Sequence, residues 1–455
     1  MVTLNIIANI AKIFNRRSFC GIILLNKNAN IAKIFNEDGY MIKRDFYLNQ
    51  LIDKQWNGLI KIITGLRRCG KSYLLFELFK NHLLEQGVSE KNIISIQLDR
   101  ICFSELTDPH ALYDYVSSRV SSQEKYYVFI DEIQLCEKFE YVLNDFLYMK
   151  NLDVYVTGSN SKFLSKDIIT EFRGRGDEIA LSPLSFKEFY SVYDDFDAAW
   201  KEYYTYGGMP LVLSKKTDIE KIKYLKELFA ETYLKDIKER NKIKNDAEFE
   251  QLLNIISSSI GSLTNPRRIA DTFKSVSDIS ISQNTIKEYL EYLEDAYLIR
   301  KSLRYDIKGK KYINTPAKYY FTDIGLRNAR LNFRQQEENH IMENVIYNEL
   351  CIRGYAVDVG VVEINERKED GNYFRKQLEC DFVLNIGNTR YYIQSAFHLA
   401  DDEKEEQEKK SLINIPDSFK KVIIVRDNIK PKKDDNGILT IGLKDFLLDD
   451  KSIDL

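Results

Sequence analysis

Apolar and polar residues follow two different rhythms along this chain. Between residues 60 and 181, short apolar runs alternate with amphipathic stretches. Ile60–Ile63, Asn92–Leu98, Tyr126–Asp131 and Val154–Thr157 have the length and composition of buried strands, and Glu178–Leu181 adds a fifth. The gaps, Ser72–Glu85 and Ala111–Val120 among them, carry helical spacing. Strands that are apolar throughout and separated by helices predict a parallel sheet covered on both faces. From Phe186 to about Asn245 the spacing is helical (FKEFYSVY, then KIKYLKELFAETYLKDIKER). Its charged end, Tyr233–Arg240, reads as a solvated or interdomain helix face.

The rhythm changes near Ala247. FEQLLNIISSSIG, RRIADTFK and ISQNTIKEYLEYLEDAYLI predict three helices, the last capped by Ser282 and striped by Ile286, Leu290, Leu293 and Ile299. RKSLRYDIKGKKYINTPAKYYFTD then predicts a two-stranded hairpin around a Lys-Gly-Lys turn, with Arg300, Lys301, Arg304, Lys308, Lys310 and Lys311 making it basic. Near Glu338 a final region begins. It holds a helix running into a strand, the hairpin LECDFVLNIGNTRYYIQSAF and the strand KKVIIVRD. The mixed-charge run Asp401–Lys410 reads as a solvated helix.

The first forty residues fit neither rhythm. ANIAKIFN occurs at Ala8–Asn15 and again at Ala29–Asn36, too briefly for a solenoid. Arg16-Arg17 is followed by the apolar run Phe19–Leu25, which lacks a small-residue cleavage site, so export is not expected. The expectation is that the functional chain begins at Met41, with 1–40 a mis-assigned start or a loosely attached extension.

Length and charge narrow the class. At 455 residues the chain is long enough for several domains. Lys and Arg total 66 against 69 Asp and Glu, so any nucleic-acid surface must be local rather than a property of the whole. The cysteines (Cys20, Cys69, Cys102, Cys136, Cys351, Cys380) form no C-x-x-C pair and the histidines are isolated. That predicts reduced thiols in a cytoplasmic protein, without zinc, a disulfide framework or a membrane partner.

The candidate chemistry starts where the first strand ends. Gly65-Leu66-Arg67-Arg68-Cys69-Gly70-Lys71-Ser72 is G-x-x-x-x-G-K-S between a strand and a helix. Glycines let the backbone wrap a triphosphate, and its amides point at phosphate oxygens from a helix N-terminus. Lys71 reaches the β- and γ-phosphates, Ser72 ligates Mg²⁺, and Gly65 through Tyr73 form the ATP-binding set. Asp131 ends an apolar strand and is expected to hold Mg²⁺. Glu132, next in the chain, is expected to polarise the attacking water. Ser159 and Asn160 follow the fourth strand, where a polar side chain reaches the γ-phosphate or the water. Arg173 and Arg175 precede the fifth strand. They are either surface arginines around a glycine turn or an arginine finger serving a neighbouring subunit, which would require a homo-oligomer.

This order of phosphate loop, strand ending in Asp-Glu, Ser/Asn strand and arginine before the next strand resembles the AAA superfamily. GLRRCGKS, FIDEIQ, VTGSNS, FRGRG, LSPLSFKEF and YGGMPLV together resemble, more narrowly, a prokaryotic group of AAA ATPases carrying a C-terminal domain of unknown function. The resemblance implies an α/β, P-loop AAA-type parallel-sheet core over 41–184 and a helical lid over 185–245. In that lid Gly208-Met209-Pro210 would approach the nucleotide. Residues 246–332 resemble a winged helix-turn-helix, which either binds DNA or couples domains. Glu288, Glu291 and Glu294 on its third helix oppose phosphate contact. Residues 333–455 resemble the restriction-nuclease fold, matched at Glu343 and Asp381. Gln394-Ser395-Ala396 stands where an acid and a lysine belong, so nuclease activity is not expected. The implied function is Mg²⁺-dependent ATP hydrolysis that couples nucleotide state to the C-terminal domains. The alternative is a nucleotide-switched DNA-binding or defence-signalling protein with little turnover.

Overall fold

The computed structural model describes residues 42–121, 123–159, 174–277, 281–335, 337–367, 373–399 and 402–455. The extension expected at 1–40, Asn160 and Arg173 therefore lie outside the described residues.

Five strands form the first sheet: β1 (Ile60–Thr64), β2 (Ile93–Gln97), β3 (Tyr126–Asp131), β4 (Leu152–Thr157) and β5 (Gly176–Ala180). All pairings are parallel, in the order β2-β3-β4-β1-β5. Apolar side chains on both faces explain why the strands read as continuous apolar runs. One face packs Ile63, Phe129 and Tyr155 against Leu75 and Phe79, and the other packs Ile62, Val128 and Val156 against Leu143 and Phe146. The helix after β1 is not regular: Lys71–Tyr73 and Lys80–Glu85 are α, and Leu74–Phe79 between them is π.

Helices Phe186–Tyr190 and Phe196–Tyr206 follow, then a long helix made of Asp218–Glu227, the π turn Leu228–Leu234 and Lys235–Asn241. Helices Asp246–Ser258, Pro266–Ser277 and Gln283–Asp295 come next. The expected hairpin is present as β6 (Ile299–Asp306) and β7 (Lys311–Phe321), joined in antiparallel register. It is not a free-standing wing. β6 also pairs in parallel with β8 (Ala356–Arg367), matching Arg304 to Val359 and Asp306 to Val361.

The hairpin thus belongs to an eight-stranded mixed sheet, β12-β13-β11-β10-β9-β8-β6-β7. Its other members are β9 (Tyr373–Ile386), β10 (Thr389–Ala396), β11 (Lys420–Val425), β12 (Lys432–Lys433) and β13 (Leu439–Gly442). Helix Glu338–Ile352 packs on one face through Val345 and Ile346 beside Phe382 and Leu384; helix Asp402–Ile413 places Leu412 on the other, beside Val362 and Val383. No helix among the described residues is long and apolar enough to cross a membrane.

Candidate functional site

Strand direction brings the candidate residues together. β1, β3 and β4 run parallel, so the loop after Thr64, the carboxylates after Ile130 and the polar residues after Thr157 emerge at one edge of the sheet. Gly65 has φ +132° and an added Cβ would lie 2.0 Å from the Leu181 carbonyl oxygen, so only glycine fits there. Gly70 has φ +105° with open space around a would-be Cβ, which leaves the cradle side of the loop accessible. Lys71 is buried, and its Nζ donates to the Gly65 and Leu66 carbonyls at 2.9 Å each. Cys69 is also buried; its thiol faces Leu181 rather than the cradle. Tyr73 lines a small cleft with Cys69, Gly70 and Pro210, which sets the Gly208-Met209-Pro210 turn beside the loop.

Asp131 is buried, accepts a hydrogen bond from the Thr157 hydroxyl, and lies beside the Ser72 hydroxyl. Burial pushes its carboxyl above the usual range, against those two hydroxyls. A hydroxyl and a carboxylate make an all-oxygen donor pair, which suits a hard ion such as Mg²⁺. Glu132 has left-handed backbone, φ 51°, with its amide on Thr157 Oγ1 at 3.0 Å. Its carboxylate accepts from Gln134 Nε2 and from Ser159 Oγ, the latter at 3.3 Å.

Arg175 is not brought to this edge. Ile60 opposes Gly176 in the β1–β5 register, and the Ile60 amide donates to the Arg175 carbonyl at 3.0 Å. Arg175 therefore sits at the opposite edge, roughly 17 Å away by the rise of five strand residues, with Nη1 on Asn144 Oδ1 at 3.1 Å.

Several residues that hold the site gave no signal in the sequence. Arg44 is buried, donates to the Cys69 and Ser182 carbonyls at 3.2 and 2.7 Å, and pairs with Glu188 at 2.9 Å. Tyr233 donates its hydroxyl to the Arg67 carbonyl at 2.6 Å, and Asp236 pairs with Arg67 Nη1 at 3.4 Å. The stretch read as a solvated or interdomain helix face thus meets the phosphate loop. Tyr233 reaches the loop from a buried position within the π turn, while Asp236 pairs with both Arg67 and Arg240.

Asp323 anchors the Gly208-Met209-Pro210 turn. Its carboxylate accepts from the Gly208 amide at 2.7 Å and the Leu326 amide at 2.9 Å. An added Cβ at Gly325 would lie 2.0 Å from the Tyr206 carbonyl oxygen, so the two turns pack backbone to backbone. Burial pushes Asp323 up to about 6, more than its amide donors pull it down. Its folded value lies above the ordinary one, so between about pH 4 and pH 6 the folded state holds the proton more tightly. This group's contribution to stability therefore falls as pH rises through that window. Asp323→Asn is expected to remove the decline, on the order of 2 kcal/mol, seen as a flatter pH profile of urea unfolding than in the unsubstituted protein.

In the second sheet, Glu343 and Asp381 do come together, around a residue not foreseen. Lys318 on β7 is 3 % exposed, with Nζ 2.9 Å from Glu343, 2.7 Å from Glu379 and 3.9 Å from Asp381. Tyr320 donates to Glu343 at 2.7 Å, and the Ser395 amide donates to Asp381 at 2.8 Å. Burial and the neighbouring Glu343 push Asp381 well above the carboxylate range. Gln394 faces the Asp381 amide at 3.4 Å, and no group of three His, Cys, Asp or Glu among the described residues is arranged to hold a metal ion.

Comparison with known proteins adds findings of three kinds. Residues 57–190 match the model of an AAA domain, and residues 197–337 that of a domain of unknown function, DUF8612. An uncharacterised protein of Haemophilus influenzae is 33 % identical over 415 residues, covering 90 % of this chain and 99 % of that one. The uncharacterised protein MJ1544 of Methanocaldococcus jannaschii is 29 % identical over 389 residues, covering 81 % and 80 %. Among solved structures, the Aeropyrum pernix ORC1 protein in complex with DNA aligns over 64 % of this chain and 93 % of its own, at 10 % identity and a TM-score of 0.30. That last likeness is too slight to bear on function.

Proposed function

The chain belongs to the family of the uncharacterised Haemophilus influenzae protein and carries an AAA domain, and from that premise we propose that it binds and hydrolyses ATP with Mg²⁺. One observation carries the reading: Lys71, the Ser72–Asp131 pair and the Glu132–Ser159 pair converge where three parallel strands end. The amides from Gly65 to Tyr73 and the Lys71 ammonium bind the phosphates. Ser72 and Asp131 hold Mg²⁺, which neutralises charge on the phosphate oxygens when bound. Glu132 orients water and accepts its proton; Ser159 fixes the Glu132 carboxylate. In a homo-oligomer, Arg173 or Arg175 of a neighbouring copy would complete the site; within its own chain Arg175 rests on Asn144 at the far edge.

Glu132→Gln should bind ATP normally and turn it over roughly a hundredfold more slowly, the scale of general-base catalysis. Steady-state phosphate release measures this, and unchanged turnover would overturn the role.

A second reading rests on the Glu132 carboxylate, already engaged by Gln134 and Ser159. In that reading the chain is a nucleotide-held switch with little turnover, acting on DNA or in defence signalling. ATPase rates with and without DNA separate the two. The third helix exposes Glu288 and Glu291, and the basic hairpin is built into a larger sheet, which favours the helix-and-hairpin region as a coupling module. Nuclease activity is not part of the proposal, because the Lys318 ammonium stands among the carboxylates where a metal ion would be needed.

A further inference from the structure

We infer that Arg67 is a positioning residue that transmits phosphate occupancy to the lid helix through Asp236. The inference rests on the ATP-binding reading above and names how that site is coupled. A phosphate cradle needs only the backbone amide at this loop position. The side chain here instead reaches two other elements. Nε donates to Ser159 Oγ at 3.3 Å and Nη1 pairs with Asp236 at 3.4 Å. Ser159 in turn donates to Glu132 at 3.3 Å. A continuous chain therefore runs from the lid, Asp236, through Arg67 and Ser159 to the carboxylate assigned to water.

The lid holds Arg67 at two points with different character. Tyr233 and Asp236 are three residues apart, on one helix face. The Tyr233 hydroxyl grips the Arg67 carbonyl at 2.6 Å from a position 3 % exposed. The Asp236–Arg67 pair is open to solvent, with side chains 28 % and 43 % exposed, and Asp236 is shared with Arg240 at 2.8 Å. An exposed pair of this kind is weak. A triphosphate in the loop offers the guanidinium far more negative charge, in a geometry that favours bidentate bonds. Arg67 then turns from Asp236 to phosphate while its backbone stays hinged on Tyr233. Asp236 keeps only Arg240, and the helical turn that carries both loses its side-chain tie to the phosphate loop, while buried Ile237 and the Lys238–Glu250 pair still fasten it to the neighbouring helices. The π turn Leu228–Leu234 immediately before it has poorer hydrogen bonding than an α-helix, so it can absorb the change.

The test is backbone hydrogen exchange over residues 228–241 of the full chain, with and without a non-hydrolysable ATP analogue, alongside a fluorescence titration of analogue binding. In the unsubstituted protein the analogue is expected to raise exchange in the last turns of the helix at least about threefold, by lowering local opening cost. Asp236→Asn should exchange at the raised level already, show no further response, and bind the analogue about threefold more tightly because the competitor is gone. Arg67→Ala combined with Asp236→Asn should respond no differently from Arg67→Ala alone. A purely structural pair would instead lower the unfolding midpoint and leave the nucleotide response in place. Retention of that response in Asp236→Asn, or binding without any response in the unsubstituted protein, overturns the inference alone. Failure of the unsubstituted protein to bind the analogue overturns the ATP reading on which it rests.

Discussion

Lys71→Ala should abolish ATP binding at concentrations that saturate the unsubstituted protein. The ammonium is the cation placed where the loop opens, 5 % exposed and poised on the Gly65 and Leu66 carbonyls. Its removal takes away the charge that meets the β- and γ-phosphates, while the Leu66 carbonyl keeps the Cys69 amide at 3.4 Å. A charge-assisted contact in so shielded a place is worth about 3 kcal/mol, or more than a hundredfold in affinity. A fluorescent-nucleotide titration checks it. Because the lysine sits at the start of a helix whose apolar face is untouched, the unfolding midpoint should move little. Affinity preserved in a folded Lys71→Ala variant would remove the basis for the ATP reading.

The second large effect is on stability. Lys318→Met should cost about 3–5 kcal/mol, the range for breaking a buried ion pair by deleting one partner. Two carboxylates, Glu343 and Glu379, lie within 3 Å of the ammonium, and Asp381 is next to them. Without it Glu343, 12 % exposed, is left unpaired in a shielded position, with Glu379, 35 % exposed, beside it at the rim. Adding Glu343→Gln and Glu379→Gln to Lys318→Met should recover part of the loss, since it removes the orphaned charges. Urea unfolding of the single and triple variants measures both. A single variant as stable as the parent would mean that the cluster is held by something other than Lys318.

What could be read from the sequence follows from how local the information is. Four strands of the first sheet are short apolar runs, and the phosphate loop is one contiguous octet, so both were legible from a few neighbouring residues. Asp131 was legible because a carboxylate ending an apolar strand has only one edge of a parallel sheet to emerge from. Lys318 was not. It is one polar residue inside AKYYF, and the carboxylates that explain it stand 25, 61 and 63 positions on. Asp323 meets Gly208 across 115 residues and Tyr233 meets Arg67 across 166, with nothing in either segment naming the other. The basic hairpin was legible as a hairpin because its two strands are neighbours. Its pairing with β8 was not, because β6 carries no mark of a third strand more than fifty residues away.

That pairing bears on how the chain comes off the ribosome. β6 and β7 are made before β8 and can close at once, yet β6 keeps a row of open backbone groups until Val359–Val361 has been synthesised. An edge left waiting in that way is a template for other strands, in the same chain or in a neighbouring one. The change of pattern near residue 332 is therefore a boundary in sequence only. During synthesis the two sides of it share one unfinished sheet, and the Lys318 side chain, made before any of its carboxylates, is buried only when the later half arrives.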